Sequence, residues 1–242
     1  RIPLIGSPGL RPETSTTTEV SVAYANEHGV SAGVGLFHND FQDKIATGTP
    51  VANCTFAASP NRPGCVDVGP WPLIDTFGQS INIDEATTRG LEAHVDLPLG
   101  EAWTLGANSP FTDSEQKSGA AAGQPLTNTP RHMLNANLDW AATDRLGLYL
   151  RGQYRSSRYR GAGLAQDQLG DWKAATTFTL GGRFRVNEAL SVNAAILNLT
   201  DEDFVEYVPY VTNLGTGAIG YANLHANPDD GRRLWLSMNV DF

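Results

Sequence analysis

The sequence contains neither a long apolar run nor a leader. Its 242 residues include no stretch of 18 consecutive apolar side chains, so an α-helical membrane span is excluded. Residues 1–30 also lack the charged and then apolar pattern of a signal peptide. Because the first residue is Arg1 rather than Met, we expect a processed or truncated start.

Positive charge is scarce. The 17 Lys and Arg residues stand against 26 Asp and Glu residues, which gives a formal net charge of -9. Binding to nucleic acid requires a net basic face that neutralises phosphates. The charge therefore argues against a nucleic-acid partner, and we expect none.

Cysteine is nearly absent, with only Cys54 and Cys65 in the chain. Both lie in a segment rich in proline, glycine and asparagine that has no regular hydrophobic period. A local disulfide is the natural interpretation, and two free thiols are the alternative. Closing such a loop would contribute about 3 kcal/mol in the chain-entropy estimate. The bond would persist only outside a reducing cytoplasm.

Sequence motifs of enzyme chemistry are missing. There is no GxSxG, no P-loop and no HExxH. The histidines fall on different predicted strands and loops without metal-ligand spacing, so we expect no metal site, no covalently bound cofactor and no enzymatic activity. These histidines are His28, His38, His94, His132 and His225.

Alternation of apolar and polar residues dominates the chain. In LGLYLRGQYR, residues 146–155, Leu146, Leu148 and Leu150 share one face of a predicted strand, while Arg151 and Arg155 share the other. The same period of two recurs in nine predicted strands of about ten residues or more. Strands of soluble sheets average about five or six residues, whereas about ten residues cross a bilayer at a tilt.

The predicted connections alternate strictly between short and long. The short ones are residues 27–28, 98–100, 143–144 and 187–188, and the long ones are residues 46–79, 113–129, 161–171 and 205–231. This layout is typical of an all-β transmembrane antiparallel β-barrel with long extracellular loops, short periplasmic turns and a periplasmic C-terminus. The leucine face would then contact lipid, with Tyr154 near the headgroups, and the arginine face would line a wet lumen.

Two features qualify this barrel. Pro110 cannot donate to a strand ladder, so we expect a local bulge or an early end of its strand. Nine antiparallel strands would also meet edge to edge in parallel, and unpaired edges in lipid would cost tens of kcal/mol. We therefore expect either the C-terminal part of a longer barrel or completion by another chain.

Several stretches together resemble one family. The segment IGSPGLRPETSTTTEVSVAY resembles the entry strand of TonB-dependent outer-membrane receptors, most closely the catecholate-siderophore and colicin I receptor branch. Further blocks similar to that barrel are TTRGLEAHVDLPL, TDSEQKSG, PLTNTPRHMLNANLDW, LYLRGQYRSSRYRG, AAILNLTDEDF and DGRRLWLSMNVDF. The stretch GANSPFTDSEQ departs from the aromatic-rich strand expected there.

The resemblance implies a 22-stranded barrel with a plugged lumen. Residues 1–242 would then be the C-terminal part of the barrel domain, with the plug domain and the N-terminal strands outside this sequence. It implies import of a ferric siderophore, most closely a catecholate, across the bacterial outer membrane with energy coupled through TonB. The implied partners are TonB, the barrel-assembly machinery, lipopolysaccharide, outer-membrane lipid, and colicins or phage.

The candidate site residues follow from the cargo. A ferric tris-catecholate is a bulky anion, so its site needs guanidinium groups and aromatic rings. Residues predicted near the outer rim are Arg131, Arg155, Arg158, Tyr159, Arg160 and Arg233. Alternatively, these arginines bind anionic lipopolysaccharide or pair with lumen carboxylates such as Asp84, Glu85 and Glu92. Phe242 resembles the C-terminal aromatic signal for barrel assembly, or is simply the last lipid-facing residue.

The same pattern is compatible with three other functions. A related receptor could carry haem, cobalamin or a glycan instead. A passive porin-like channel would lack a plug and bind nothing tightly. A structural or adhesive barrel would use its long loops for contact with partners.

Overall fold

Strands account for nearly all the regular structure. The computed structural model describes residues 3–119, 121–203, 206–213, 216–223 and 231–241. The elements are β1 (Thr14–Ala25), β2 (Ser31–Thr47), β3 (Val51–Ala52), β4 (Thr76–Phe77), β5 (Ser80–Leu99), β6 (Trp103–Gln116), β7 (Met133–Ala141), β8 (Leu146–Arg155), α1 (Leu164–Leu169), β9 (Ala175–Arg185), β10 (Leu190–Leu197), β11 (Tyr207–Asn213), β12 (Ala218–Asn223) and β13 (Arg233–Val240).

The long strands form one nine-stranded sheet in the order β1-β2-β5-β6-β7-β8-β9-β10-β13. Each long strand therefore lies beside its neighbour in the chain, and the prediction of nine strands in a meander is confirmed. Pairing is antiparallel from β6 through β10 to β13. Two small hairpins, β3-β4 and β11-β12, lie within long connections.

Short and long connections alternate as predicted. The short ones are residues 26–30, 100–102, 142–145 and 186–189. The long ones are residues 48–79, 117–132, 156–174 and 198–232. The strand ends joined by the short connections form one end of the sheet, which we call the turn end. The opposite end, where the long connections lie, is the loop end.

Side chains close three of the short turns in the same way. Asn26 Oδ1 accepts hydrogen bonds from two of the following backbone N–H groups, both at 3.0 Å. Thr143 Oγ1 accepts from the backbone N–H groups of the second and third residues after it, at 3.2 and 3.0 Å. Asn187 Oδ1 accepts from the corresponding N–H groups of its own turn, at 3.0 and 2.8 Å. Short polar side chains of this kind stabilise a turn by replacing a backbone acceptor. The remaining short turn uses Gly100 at a φ of 76°, where glycine carries no steric cost.

The antiparallel register separates an apolar face from a polar face. On the apolar face Leu138 pairs with Leu150, which pairs with Leu180. On the polar face Asn137 pairs with Arg151, which pairs with Thr179. The predicted assignment of the β8 leucines and arginines to opposite faces is therefore confirmed.

The apolar face is exposed rather than packed into an interior. Leu180 is 42% exposed, and Leu236 on β13 is 70% exposed. Only a few apolar side chains in the described part of the chain are buried: Phe77, Ile83, Ala86, Leu126, Tyr159 and Ala195. An apolar sheet face this large requires a cover of lipid or protein.

Pro110 lies inside β6, and the expectation of a bulge or an early strand end was wrong. The β6-β7 register pairs Asn108 with Asn135 and resumes in the same register where Phe111 bridges His132. Pro110 therefore lies opposite Met133 without adding a residue. Its missing N–H is replaced by the Ser109 hydroxyl, which donates to the Met133 carbonyl oxygen at 3.2 Å. Because the orphan acceptor is satisfied, β6 continues to Gln116.

Some predicted loop boundaries were also wrong. The second long connection begins at residue 117 rather than 113, the third at 156 rather than 161, and the fourth at 198 rather than 205. The helix α1 was not predicted because its six residues are too few to show a helical period. In the part of the chain that the structure describes, no helix is long and apolar enough to span a membrane.

The chain divides into two compact units. The first comprises residues 1–17, 39–87 and 115–124, and the second comprises residues 18–38, 88–114 and 125–242. In the first unit the side-chain amide of Asn82 holds the N-terminal segment through two hydrogen bonds. Its Nδ2 donates to the Arg11 carbonyl oxygen at 3.0 Å, and its Oδ1 accepts from the Arg11 N–H at 2.8 Å. A hydrogen bond from the Ile45 N–H lowers the pKa of Glu13 below its usual value. A second hydrogen bond, from the Lys44 ammonium, has a smaller effect in the same direction.

A disulfide joins Cys54 to Cys65 in the first long connection, with a Cα–Cα distance of 5.0 Å. Beside it, Asn53 is fully buried. Its amide donates to the carbonyl oxygens of Trp71 and Ile74 at 2.8 and 2.7 Å. The Asn53 Oδ1 accepts from the N–H and the hydroxyl of Thr55, both at 2.9 Å. Covalent and hydrogen-bond constraints therefore shape a connection whose described regular structure is limited to the short β3-β4 hairpin.

We predict that Gly90→Ala destabilises the sheet. A Cβ on Gly90 would overlap the backbone carbonyl oxygen of Phe111 and the ring of Phe37, so the backbone itself must shift. Overpacking of this kind costs about 1–3 kcal/mol. The temperature at which the folded protein loses its distinct mobility on SDS gels should fall. Gly147→Ala is the matched control, since nothing lies within 4 Å of its added Cβ, and an equal fall in both variants would contradict the prediction.

We predict that the double variant Cys54→Ser/Cys65→Ser loosens the connection of residues 48–79 while the sheet remains folded. Loss of the crosslink removes about 3 kcal/mol of loop constraint. Limited digestion with proteinase K should cleave this connection faster than in the parent protein, as mapped by mass spectrometry of the fragments. Unchanged cleavage would show that the hydrogen bonds of the connection hold it without the disulfide.

Candidate ligand-binding site

Two of the predicted arginines line one cavity at the loop end of the polar face. Arg155 is the last residue of β8, and Arg233 is the first residue of β13. Both border a cavity of about 410 Å³. The other lining residues are Met133, Asn135, Gln153, Tyr154, Ala175, Thr177, Thr179, Leu197 and Asn198. We call this space the arginine cavity.

The composition of the arginine cavity favours an anion. Its described lining includes two guanidinium groups together with amides and hydroxyls, and no Asp or Glu. This is notable in a chain whose formal net charge is -9. A guanidinium stays protonated and offers several N–H donors, so it binds negative charge without becoming a metal ligand.

Strand ends and one turn position these groups. Pairing of Arg155 with Ala175 and with Met133 fixes it on the polar face. Arg233 pairs with Leu197, the last residue of β10. The next residue, Asn198, closes a turn by accepting from the Glu202 N–H at 2.8 Å and donating to the Glu202 carbonyl at 2.9 Å.

A second polar cavity of about 430 Å³ shares Asn135 and Gln153 with the first. Its further lining residues are His94, Asp96, Ala107, Asn108, Ala136, Asn137, Arg151 and Gly152. The Arg151 guanidinium lies 4.5 Å from the centre of the Tyr149 ring. The polar face thus presents a continuous strip of hydrogen-bonding groups from the loop end towards the turn end.

The structure places Arg158, Tyr159 and Arg160 inside the third long connection. Both guanidinium groups lie 5.2 Å from the centre of the Trp172 ring. Arg158 donates to Asn128 Oδ1 at 2.8 Å and lies 3.7 Å from a carboxylate oxygen of Glu206.

Arg160 and Tyr159 are equally engaged in this connection. Arg160 Nε donates to the Gly170 carbonyl at 2.7 Å. Burial raises the pKa of the Tyr159 phenol, and the nearby carboxylates of Asp167 and Asp171 raise it further. Tyr159 is only 9% exposed. These side chains organise the connection, and their predicted contact with a ligand stays a prediction.

Arg131 lies apart from the arginine cavity. Its guanidinium is 2.5 Å from one carboxylate oxygen of Asp113, and Arg89 is 3.1 Å from the other. The remaining predictions fall elsewhere. Cys54 and Cys65 form their disulfide in the first long connection. Phe242, His225 and the side chain of Asp84 lie outside the described residues.

No metal site is evident. Across residues 3–119, 121–203, 206–213, 216–223 and 231–241, no group of three or more His, Cys, Asp or Glu side chains could hold a metal ion.

Sequence reasoning missed several residues of the site. Gln153 shares a strand face with Arg155, so the alternation in β8 could have identified it. Asn198 follows a strand whose end was predicted too late, and Trp172 gave no periodic signal. A further unpredicted feature is the hairpin β11-β12, which carries three half-exposed aromatic rings, namely Tyr207, Tyr210 and Tyr221.

Relatives of known identity cover nearly the whole chain. The iron-regulated outer membrane virulence protein of Vibrio cholerae serotype O1 is 36% identical over 240 residues, which are 99% of this chain and 32% of that protein. The ferric enterobactin receptor of Pseudomonas aeruginosa is 30% identical over 249 residues, covering 99% of this chain and 31% of that protein. The chain thus spans about a third of the length of these relatives.

Solved structures agree with the sequence relatives. A mutant of the ferric enterobactin receptor from Pseudomonas aeruginosa in complex with enterobactin superposes with a TM-score of 0.65 at 28% identity, covering 97% of this chain and 32% of that one. The family described as TonB dependent receptor-like, beta-barrel matches residues 2–199. With that match across most of the sequence and the superposition on a solved receptor, the chain belongs to the family of TonB-dependent receptor β-barrels.

Proposed function

We propose that this chain is part of the barrel of an outer-membrane receptor that imports a ferric catecholate siderophore with energy coupled through TonB. The observation that carries the proposal is the arginine cavity, which gathers Arg155 and Arg233 without a carboxylate among its described lining residues. The name of one relative supports the cargo, since the matched protein of Pseudomonas aeruginosa is a ferric enterobactin receptor, and a solved structure of such a receptor superposes on this chain.

The chemistry of the cavity suits this cargo. A ferric tris-catecholate presents anionic oxygens around the iron and aromatic ring faces on its outside. Arg155 and Arg233 supply positive charge, and Gln153, Thr177 and Asn135 supply hydrogen bonds to oxygen. Since none of these groups competes strongly for ferric iron, the complex binds intact. The half-exposed tyrosines of β11-β12 are further candidates for contact with the rings.

The location and orientation follow from the same proposal. The apolar face contacts the lipid of the outer membrane, the loop end faces outward and the turn end faces the periplasm. TonB and the plug act through parts of the protein outside this sequence, and Phe242 serves as the signal for the barrel-assembly machinery. The ferric siderophore is cargo rather than a resident cofactor, and the protein acts as a receptor and transporter rather than an enzyme.

We predict that the polypeptide carrying this chain is about three times as long. Residues 1–242 would form the C-terminal part of the barrel domain, preceded by further strands and a plug, because the relatives extend to about three times this length. The intact mass of the protein purified from outer membranes, with peptide mapping of its N-terminal region, tests this. A mass near 26.0 kDa would instead require a second chain to complete the barrel.

We predict that Arg155→Ala/Arg233→Ala weakens binding of ferric enterobactin by at least about tenfold, because two charge-assisted contacts are lost. The affinity is measured by quenching of intrinsic fluorescence, using the protein as its gene encodes it. Arg183→Ala is the matched control, since Arg183 shares the polar face but lies near the turn end, opposite Gly147. Equal affinity of the double variant and the parent would refute the assignment of this cavity.

A further inference from the structure

The fourth long connection, residues 198–232, carries the β11-β12 hairpin and meets the arginine cavity at both of its ends. Asn198, its first residue, lines the cavity, and so does Arg233, which directly follows its last residue. The Arg232 N–H donates to a carboxylate oxygen of Asp201 at 2.8 Å and thereby joins the two ends of the connection. The base of this connection is therefore part of the arginine cavity.

A charged pair fastens the start of the hairpin to the third long connection. Glu206 directly precedes Tyr207, the first residue of β11. A carboxylate oxygen of Glu206 lies 3.7 Å from the Arg158 guanidinium, and the two side chains are only 17% and 11% exposed. Salt and solvent weaken such a shielded ion pair less than an exposed one. Strand β11 also contacts α1, which belongs to the same third connection.

Arg158 is itself held by two connections. Its guanidinium donates to Asn128 Oδ1 at 2.8 Å and lies 5.2 Å from the centre of the Trp172 ring. The backbones of Arg158 and Trp172 exchange two hydrogen bonds, at 3.1 and 2.9 Å. The Asn128 N–H donates to the Tyr159 carbonyl oxygen at 2.9 Å. Arg158 therefore joins three successive long connections, namely residues 117–132, 156–174 and 198–232.

The hairpin that follows Glu206 presents aromatic rings. Tyr207 and Pro209 share one face of β11, and Tyr221 pairs with Pro209 across the hairpin, so both tyrosines lie on that face. Both are about half exposed. Aromatic side chains that are already in position bind a ligand more tightly, because less conformational entropy is lost on binding. The fixed position of the hairpin thus bears directly on affinity.

We propose that Arg158 and Glu206 are positioning residues for ligand binding. Their ion pair holds the β11-β12 hairpin beside the arginine cavity, so that Tyr207 and Tyr221 are in place for the aromatic rings of the ferric catecholate. The Arg158 guanidinium acts through Glu206 rather than by contact with the cargo. The inference rests on the proposed function, which supplies that cargo.

This role and simple electrostatics predict opposite effects of removing the Glu206 charge. If Glu206 acted only as a negative charge, its loss would strengthen binding of an anionic cargo. Binding would also strengthen if Arg158 contacted the cargo, because its guanidinium would be released from Glu206. A positioning role predicts weaker binding, since a released hairpin must be ordered when the ligand binds. The sign of the change in affinity therefore distinguishes these roles.

The affinity of Glu206→Gln for ferric enterobactin tests the proposal, using the protein as its gene encodes it and quenching of intrinsic fluorescence. We expect binding about fivefold weaker than in the parent protein. Glu202→Gln is the matched control, because it removes the same charge from the same connection, where Glu202 bonds to Asn198 through its backbone N–H and carbonyl. This control should bind at least as tightly as the parent. Heat-dependent mobility on SDS gels verifies that each variant is folded.

A double-mutant cycle tests whether the two residues act together. Arg158→Gln should weaken binding in the parent protein, and much less in the Glu206→Gln background, because the ion pair is already lost there. An equal loss in both backgrounds would show that Arg158 acts independently of Glu206 and would overturn the proposal. Binding by Glu206→Gln as tight as that of the parent, or tighter, would overturn it as well.

Hydrogen exchange of the protein without ligand separates this inference from the proposed function. Exchange of the amides in β11 and β12 should be about fivefold faster in Glu206→Gln and unchanged in Glu202→Gln. Equal exchange in Glu206→Gln and the parent would show that the ion pair does not hold the hairpin. Failure of the parent to bind ferric enterobactin would refute the proposed function. A parent that binds it, with a Glu206→Gln variant that is unaffected, would refute the positioning role alone.

Discussion

The uninterrupted register of the antiparallel ladder is the constraint on which the rest of the structure depends. From β7 through β10 to β13 every described pair advances by one residue against one residue. A slip of one residue would move Leu150 to the polar face and Arg151 to the apolar face. Since an arginine facing the middle of a bilayer costs about 2–4 kcal/mol, the register is fixed by both faces at once.

The β6-β7 pair shows how that register survives an unfavourable residue. Pro110 removes one N–H donor in the middle of a ladder, where proline normally ends a strand or occupies an edge. The hydroxyl of Ser109 donates instead to the acceptor that Pro110 leaves open. The alternation therefore continues to Phe111 and Asp113, and the acidic side chain of Asp113 lies on the same face as the leucines.

The parts of the fold that could be predicted from sequence are those governed by periodicity. Alternation identified the nine strands, the two faces and the sequence of short and long connections. The ends of the strands were harder to predict, because a strand such as β6 can continue through a proline. The helix α1 could not be predicted, because it is shorter than two helical turns. Within the site, alternation placed Arg155 on the polar face. It could not reveal that Arg158 and Arg160 pack against Trp172, since side-chain direction in a long connection depends on contacts without a period.

Net charge is a poor guide to what such a barrel binds. The chain is acidic overall, yet the arginine cavity contains two guanidinium groups and no described carboxylate in its lining. At physiological ionic strength exposed charges are screened within about 8 Å, so a ligand in the cavity responds chiefly to the groups that line it. Where a carboxylate does meet an arginine, as at Asp113, it spaces two guanidinium groups and leaves a local positive charge. The distribution of acidic residues among the faces of the sheet, rather than their total, therefore determines where this chain carries local positive charge.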